Sequence, residues 1–284
     1  NKKAMLDELG INSVEDIYKS IIPDELLYKE RLDSPEPIRS EYELKRHVMG
    51  ILNRDITTEE YTSFLGAGCY KHQVPAICDE INSRGEFLTA YCGDTYSDHG
   101  KMQAIFEYTS MMGELLDTDV VSYTTYDGGQ AVASSLRMAV RAVREKGMAG
   151  KVILVPKTMN PEIYSQVVQY CRNVAEVRKI AYEPETGLMD LEELKEQLAK
   201  KNVAAVFFEN PTYLGNFETR GEEIAKLAHD AGAYCVVQTE VAALGIMESP
   251  VNQGADIVCG DIQPLGMHIQ FGGGQAGFIA CNQN

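Results

Sequence analysis

Beyond about residue 150 the chain alternates between short apolar runs and amphipathic stretches. The runs at 152–155, 174–181, 204–208, 234–238, 256–259 and 277–281 are rich in Val, Ile, Phe, Ala and Cys and read as strands. Helix candidates lie between them at about 161–173, 191–201 and 219–231. In the second of these, Leu191, Leu194 and Leu198 fall at i, i+3 and i+7 on one face. Two longer helical patterns precede the series, at about 100–116 and 127–146. Buried strands alternating with helices of 10 to 15 residues predict an α/β fold whose mainly parallel sheet is covered on both faces.

Residues 1–63 have a different texture. They are charged and carry helical signals at Met5-Leu6-Leu9, at Val14-Ile17-Tyr18-Ile21 and over about 40–52. Ser13 followed by Asp16 resembles a helix start, and Pro23 ends what precedes it. The segment 32–38 is expected to be extended, because Ser34 and Glu36 each precede a proline. With too little apolar content for its own core, this stretch predicts a helical arm lying across the main domain or a neighbouring subunit. The division expected is an arm over 1–63 and a large α/β domain over 64–284.

Composition narrows the partners. The 284 residues carry a formal charge of −16 and no basic stripe, which argues against nucleic acid. No apolar run approaches the roughly 18 residues of a membrane span, so a soluble protein is expected. Seven cysteines are scattered without CxxC spacing, and several sit in apolar runs such as Tyr234-Cys235-Val236-Val237. Burial as small hydrophobes in a reducing, cytoplasmic setting is the expectation. His72, His99 and His268 lack metal-ligand spacing, so no metal site is expected. The nucleophile elbow, the P-loop and the paired-histidine zinc signature are all missing.

Three stretches carry candidate chemistry. Tyr126-Asp127-Gly128-Gly129-Gln130 stands directly before a helical pattern. Unpaired amides there would suit a phosphate, or Asp127 simply caps the helix. Glu240 follows the strand at 234–238, and Glu209-Asn210-Pro211-Thr212 follows the strand at 204–208, both at carboxyl ends where open α/β sheets hold ligands. Glu240 is in place to serve a cofactor ring or to be a solvated loop carboxylate, and Asn210-Pro211 reads equally as a turn. Gly272-Gly273-Gly274 before the last strand would cradle a phosphate across a subunit boundary or permit a tight turn. An α/β domain of the pyridoxal-phosphate kind would carry its Schiff-base lysine after the strand at 256–259. Here the chain reads Gly260-Asp261-Ile262-Gln263-Pro264-Leu265-Gly266, and no lysine follows Lys226. That chemistry requires a primary amine.

These stretches together resemble one family along nearly the whole chain. The matching segments are Ser63 to Tyr70 with His72 and Val74-Pro75-Ala76, Ser83 to Tyr91, Gln103 to Tyr108, Tyr126-Asp127-Gly128, and Gly254 to Gly266. They are similar to the P-protein of the glycine cleavage system, glycine dehydrogenase (decarboxylating), and specifically to its subunit 1, the α subunit of the two-subunit form. The resemblance implies the large domain of an aspartate-aminotransferase type I fold, with a seven-stranded sheet and a small C-terminal domain missing here. It implies an oxidoreductase subunit that is silent alone. A lysine-bearing β subunit, paired with it as α2β2, would hold most of the pyridoxal phosphate. The pair would decarboxylate glycine and pass the aminomethyl group to the lipoyl H-protein. This chain would keep a degenerate pocket at Asp127, Gly128, Gly129, Gln130 and Glu240, with Gln263 near the place of the partner's lysine.

The chain also departs from the family. Residues 92–100 read Cys-Gly-Asp-Thr-Tyr-Ser-Asp-His-Gly where the family has Thr-Pro-Tyr-Gln-Pro-Glu and then Ser-Gln-Gly. Thr239 to Leu244 and Gly272 to Gly277 differ as well. The first loop is expected to face the shared active site, with Tyr91, Tyr96, His99 and Gln103 as candidate substrate or interface residues. A paralogous subunit acting on another amino-acid-like substrate, or a non-catalytic scaffold partner, is the alternative this leaves.

Overall fold

The structure is a computed structural model that describes residues 1–64, 68–88 and 99–283. It forms two compact units, Asn1–Thr62 and Ser63–Asn284. The first contains helices α1 (Lys2–Glu8), α2 (Glu15–Lys19) and α3 (Glu41–Leu52), none with a buried residue. The start of α2 follows from Asp16, whose Oδ2 accepts the amides of Asn12 (3.2 Å) and Ser13 (3.0 Å). Ser40 caps α3 by accepting the Glu43 amide. The segment 30–40 between them has no regular structure, as the two prolines dictate.

The second unit begins with α4 (Ala76–Asn82), α5 (Gly85–Leu88) and α6 (His99–Leu116), then strand β1 (Val120–Val121) and helix α7 (Gly128–Glu145). After these come β2 (Val152–Pro156), α8 (Pro161–Cys171), β3 (Glu176–Ile180), α9 (Leu191–Leu198), β4 (Val203–Asn210), α10 (Gly221–Asp230), β5 (Tyr234–Thr239), β6 (Ile257–Asp261) and β7 (Gly277–Cys281). The seven strands form one sheet in the order β1-β7-β6-β5-β4-β2-β3. The run from β3 to β6 is parallel, and β7 lies antiparallel to both β6 and β1. This is the seven-stranded, mainly parallel α/β sheet expected. The two-residue β1 gives no period-2 signal, so only the family resemblance supplied its strand.

Alternation along each strand builds a core on both faces. In β2, Leu154 packs with α6, α9 and α10 residues such as Leu116, Leu194 and Ile224, while its neighbours Ile153 and Val155 pack with Leu136 and Val140 of α7 and Val167 of α8. All five residues of β2 and all eight of β4 are buried, as central parallel strands require. A fully buried Leu or Ile contributes roughly 2 kcal/mol, so these two layers dominate the stability of this unit. The consequence for function is geometric. The carboxyl ends of β2, β4, β5 and β6 converge with the N-terminus of α7 on one edge of the sheet. Gly277, at the start of β7, closes that edge, since a Cβ there would stand 2.2 Å from the Asp127 carbonyl oxygen.

Candidate functional site

At that edge lies a cavity of about 700 Å³, within the usual size of a small-molecule pocket. Its floor is made by strand ends. Register pairs Glu209 with Gln238 and Asn210 with Thr239 across β4 and β5, and Asp261 ends β6. Its walls include Tyr70, His72, Gln166, Thr212 and Tyr213.

The first turn of α7 is already occupied. Asp127 caps it, accepting the Gln130 amide at 2.6 Å. Asp261 reaches from the end of β6 and accepts the Gly128 amide through Oδ2 at 2.9 Å. The other oxygen of Asp261 takes the amides of Gln263 (2.8 Å) and Ala276 (3.4 Å). Two carboxylates therefore take the Gly128 and Gln130 amides, two of the helix donors that an incoming phosphate would use. Burial raises the Asp261 carboxyl, only partly offset by the Gln263, Gly128 and Ala276 amides.

The other acids share that environment. Glu209 is 5% exposed, and burial pushes its carboxyl up to about 7, against the pull of the Asn160 and Tyr213 amides. The Asn160 amide lies 3.2 and 3.3 Å from its two oxygens. Glu240 is half-buried and lines the cavity, accepting the Ala242 amide at 3.2 Å. Burial raises its carboxyl, and the charge of Asp261 adds to the effect. It is thus a cavity wall and not a solvated loop residue. Burial likewise raises the Tyr70 phenol, followed by the charge of Glu240.

Of the residues read from the sequence, Asp127, Gly128, Gly129 and Glu240 line the cavity. Gln130 and Gln263 do not. Gln130 turns back, accepting the Tyr126 amide (2.8 Å) and donating to the Tyr170 hydroxyl (3.3 Å). Gln263 is fully buried; its Nε2 donates to the carbonyls of Tyr70 and Met267, both at 2.9 Å, and its Oε1 accepts the Tyr70 amide at 3.1 Å. A side chain spent on clamping backbone has nothing left for a ligand. Gln103 is exposed and bonds Glu107 one turn on. Tyr91 and Tyr96 lie outside the described residues, as does the side chain of His99. Asn210 is a structural bracket: its side chain pairs with the backbone of Glu218 (3.4 and 3.2 Å), and its bond to Pro211 is cis. Gly274 is the tight turn, because a Cβ there would meet the His268 carbonyl at 2.2 Å.

The sequence placed Glu209 and Gln238 at strand ends where ligands are held but singled out neither side chain, and it gave Asp261 and His72 no site role. The signal for the first three was their position at strand carboxyl ends; nothing local marks His72.

These features settle whether a pyridoxal-phosphate-like cofactor fits. No lysine follows β6, the Gly128 and Gln130 amides at the start of α7 are taken by carboxylates, and no Lys or Arg is among the described residues lining the cavity. The residues present do not fit a phosphate-bearing cofactor held by this chain alone.

Relatives place the chain in context. A probable glycine dehydrogenase (decarboxylating) subunit 1 of Pyrococcus horikoshii is 38% identical, covering 100% of this chain and 62% of its own length. The crystal structure of an inhibitor-bound glycine decarboxylase (P-protein) of the glycine cleavage system superimposes with a TM-score of 0.84 at 32% identity, over 99% of this chain and 61% of that one. A cysteine desulfurase of Thermococcus onnurineus shares the fold alone, with a TM-score of 0.59 at 15% identity over 82% of this chain and 57% of that one. The sheet is thus that of pyridoxal-phosphate-dependent fold type I enzymes, and the chain spans about three-fifths of the length of these relatives. The family profile of the glycine cleavage system P-protein matches residues 1–284, and with the scaffold and the relatives in agreement, the chain belongs to the P-protein family.

Proposed function

We propose that this chain is subunit 1 of a two-subunit glycine dehydrogenase and leaves the Schiff base to a lysine-bearing second subunit. Together the two decarboxylate glycine and deliver the aminomethyl group to a lipoyl H-protein. The observation that carries the reading is the segment after β6: Gln263 stands in the region where fold type I enzymes place their lysine, and its amide is consumed by the backbone of Tyr70 and Met267. The chain's own role is then to hold and shape, with no proton or carbon passing through its side chains.

Exposed aromatic residues support a partner surface. Phe64 (95% exposed) lines the cavity, Tyr126 (87%) precedes the α7 cap, and Phe271 (99%) stands in the turn before β7. Large exposed apolar groups of this kind suit subunit contacts. An assembly of two copies of each subunit is the form proposed. A cytoplasmic setting suits the free, buried thiols of Cys171, Cys235 and Cys259. Among the described residues no helix is long and apolar enough to cross a membrane.

The test is co-purification of the chain from its native extract, with mass identification of what accompanies it. Reconstitution with that partner and an assay of carboxyl exchange between glycine and bicarbonate then follow. Exchange should require both chains. Turnover by this chain alone, or a partner equally active without it, would overturn the assignment.

A further inference from the structure

The chain's overall acidity hides a short basic row on α7. Arg137, Arg141 and Arg144 lie at i, i+4 and i+7 and share one exposed face over about 10 Å of helix axis. Leu136, Val140 and Val143 occupy the opposite face and pack against the sheet. In a chain with 42 acidic and 26 basic side chains, this row runs against the average. With Met138, Tyr170 and Val174 it lines a groove of about 680 Å³ between α7 and the end of α8. Glu145 is the one carboxylate among the described lining residues, and the groove shares no lining residue with the strand-end cavity.

The three arginines are not equivalent. Arg141 is neutralised, its Nε donating to Glu145 at 2.8 Å. Arg137 and Arg144 donate instead to neutral carbonyls at the end of α8, Arg137 to Tyr170 at 2.7 Å and Arg144 to Val174. Neither has a carboxylate partner among the described residues. Capping α8 uses one N–H of each, and a guanidinium carries five. Two uncompensated charges therefore stand two helical turns apart, each fixed in place before any ligand arrives. Beside them Met138 and the Tyr170 ring are exposed and form an apolar strip.

That arrangement is selective. A second copy of the chain is the wrong occupant, since a two-fold contact on this face would set arginine against arginine. One small inorganic anion would satisfy a single end and leave the other charge and the apolar strip in water. The complement is a molecule with a negative group at each end of a short carbon chain.

We propose that the α7–α8 groove binds a small organic dianion with terminal carboxylates or phosphates. One end sits on Arg137, the other on Arg144, and the carbon chain lies along Met138 and Tyr170. Each end takes charge-assisted hydrogen bonds from a planar guanidinium. The site is independent of the subunit assignment, because binding is read on this protein whatever its partner.

The experiment is calorimetric titration of the purified protein at fixed, low ionic strength with hexanedioate and with 1,6-hexanediol bisphosphate. Propanedioate, hexanoate, inorganic phosphate and 1,6-diaminohexane serve as the short, one-ended, inorganic and cationic counterparts. At least one of the two long dianions should bind saturably at one site, and which of them does so tells carboxylate from phosphate. Propanedioate and hexanoate should bind at least tenfold more weakly, and phosphate and the diamine should give no saturable heat. Arg137→Gln, which keeps a donor for the Tyr170 carbonyl, should weaken the dianion at least tenfold. Met138→Glu, at an exposed position, should put a carboxylate on the apolar strip and abolish binding in a chain whose thermal unfolding shows it folded. No saturable heat with either long dianion, propanedioate or hexanoate binding as tightly as hexanedioate, saturable binding of phosphate, or dianion binding unchanged in the folded Arg137→Gln and Met138→Glu proteins would each overturn the proposal.

Discussion

Asp261, the last residue of β6, accepts the amide of Gly128, the first residue of α7, at 2.9 Å. A carboxylate from the protein itself thereby takes an amide at a helix N-terminus, where an anion can be seated. Asp127 takes a second amide of that turn, that of Gln130. The scaffold keeps the shape of an anion site and fills it from within.

Removing the plug gives the first prediction. Asp261→Ala leaves the amides of Gly128, Gln263 and Ala276 without their acceptor, and stability should fall by about 1–3 kcal/mol in denaturant unfolding. Asp261→Asn retains an acceptor and should lose less. The vacated helix end should then respond to phosphate: added inorganic phosphate should raise the Tm of Asp261→Ala and leave wild type unmoved. Equal protection of both proteins would show that Asp261 does not occupy the anion position.

Glu209 sets a pH dependence. Its carboxyl rises from an ordinary 4.5 to about 7 because burial disfavours the charge. A raised acid means that the folded state holds the proton more tightly than the unfolded one. Glu209 therefore costs nothing below about 4.5, and the penalty grows as pH rises through 7, reaching at most about 3 kcal/mol. Glu209→Gln keeps the shape and an oxygen for the Asn160 and Tyr213 amides. It should unfold at higher temperature than wild type at pH 8 and match it near pH 4.5. A difference of equal size at both pH values would show that the charge is not the cause.

The layered sheet was legible because its strands obey simple rules. Runs such as Val152 to Val155 are apolar throughout, and Leu191, Leu194 and Leu198 repeat at helical spacing. Strand β1 was not, since two residues carry no period. The Asp127 cap was legible for the same reason as the strands: it acts on its own next turn. Asp261 and Gln263 act across sequence separations that no local pattern encodes. Gln263 bonds Tyr70, 193 positions away, and Asp261 bonds Gly128, 133 positions away. Position at a strand end marks a residue as near a site; whether its side chain faces ligand or backbone is decided by tertiary neighbours.

The missing amine has its own consequence. With no lysine after Lys226 and none among the described lining residues of the cavity, pyridoxal phosphate should not be held at one site by this chain. Mixing the purified protein with pyridoxal phosphate, reducing with borohydride and mapping the adducts should give scattered, substoichiometric labelling of surface lysines. A single lysine labelled at one equivalent would contradict the reading of the segment after β6.

The last prediction concerns the clamp at Gln263. This side chain is fully buried and holds the amide and carbonyl of Tyr70 together with the carbonyl of Met267, at 2.9 to 3.1 Å. It stands in for a strand partner, pairing both polar groups of one residue at once. Gln263→Leu is close in volume and removes every bond, leaving three backbone groups without partners in a dry site. Each such group costs about 1–3 kcal/mol, so the variant should lose several kcal/mol, more than a cavity-lining change such as Glu240→Gln. Gln263→Glu restores only acceptors: the Tyr70 amide keeps its partner, while the two carbonyls face an acid. It should fall between the wild type and Gln263→Leu at low pH, where the protonated acid can donate to one carbonyl, and approach Gln263→Leu as pH rises. Denaturant unfolding of the three proteins at pH 5 and pH 8 measures this. Wild-type stability in Gln263→Leu would mean that the Tyr70 segment is held by its other contacts and that Gln263 is only filler.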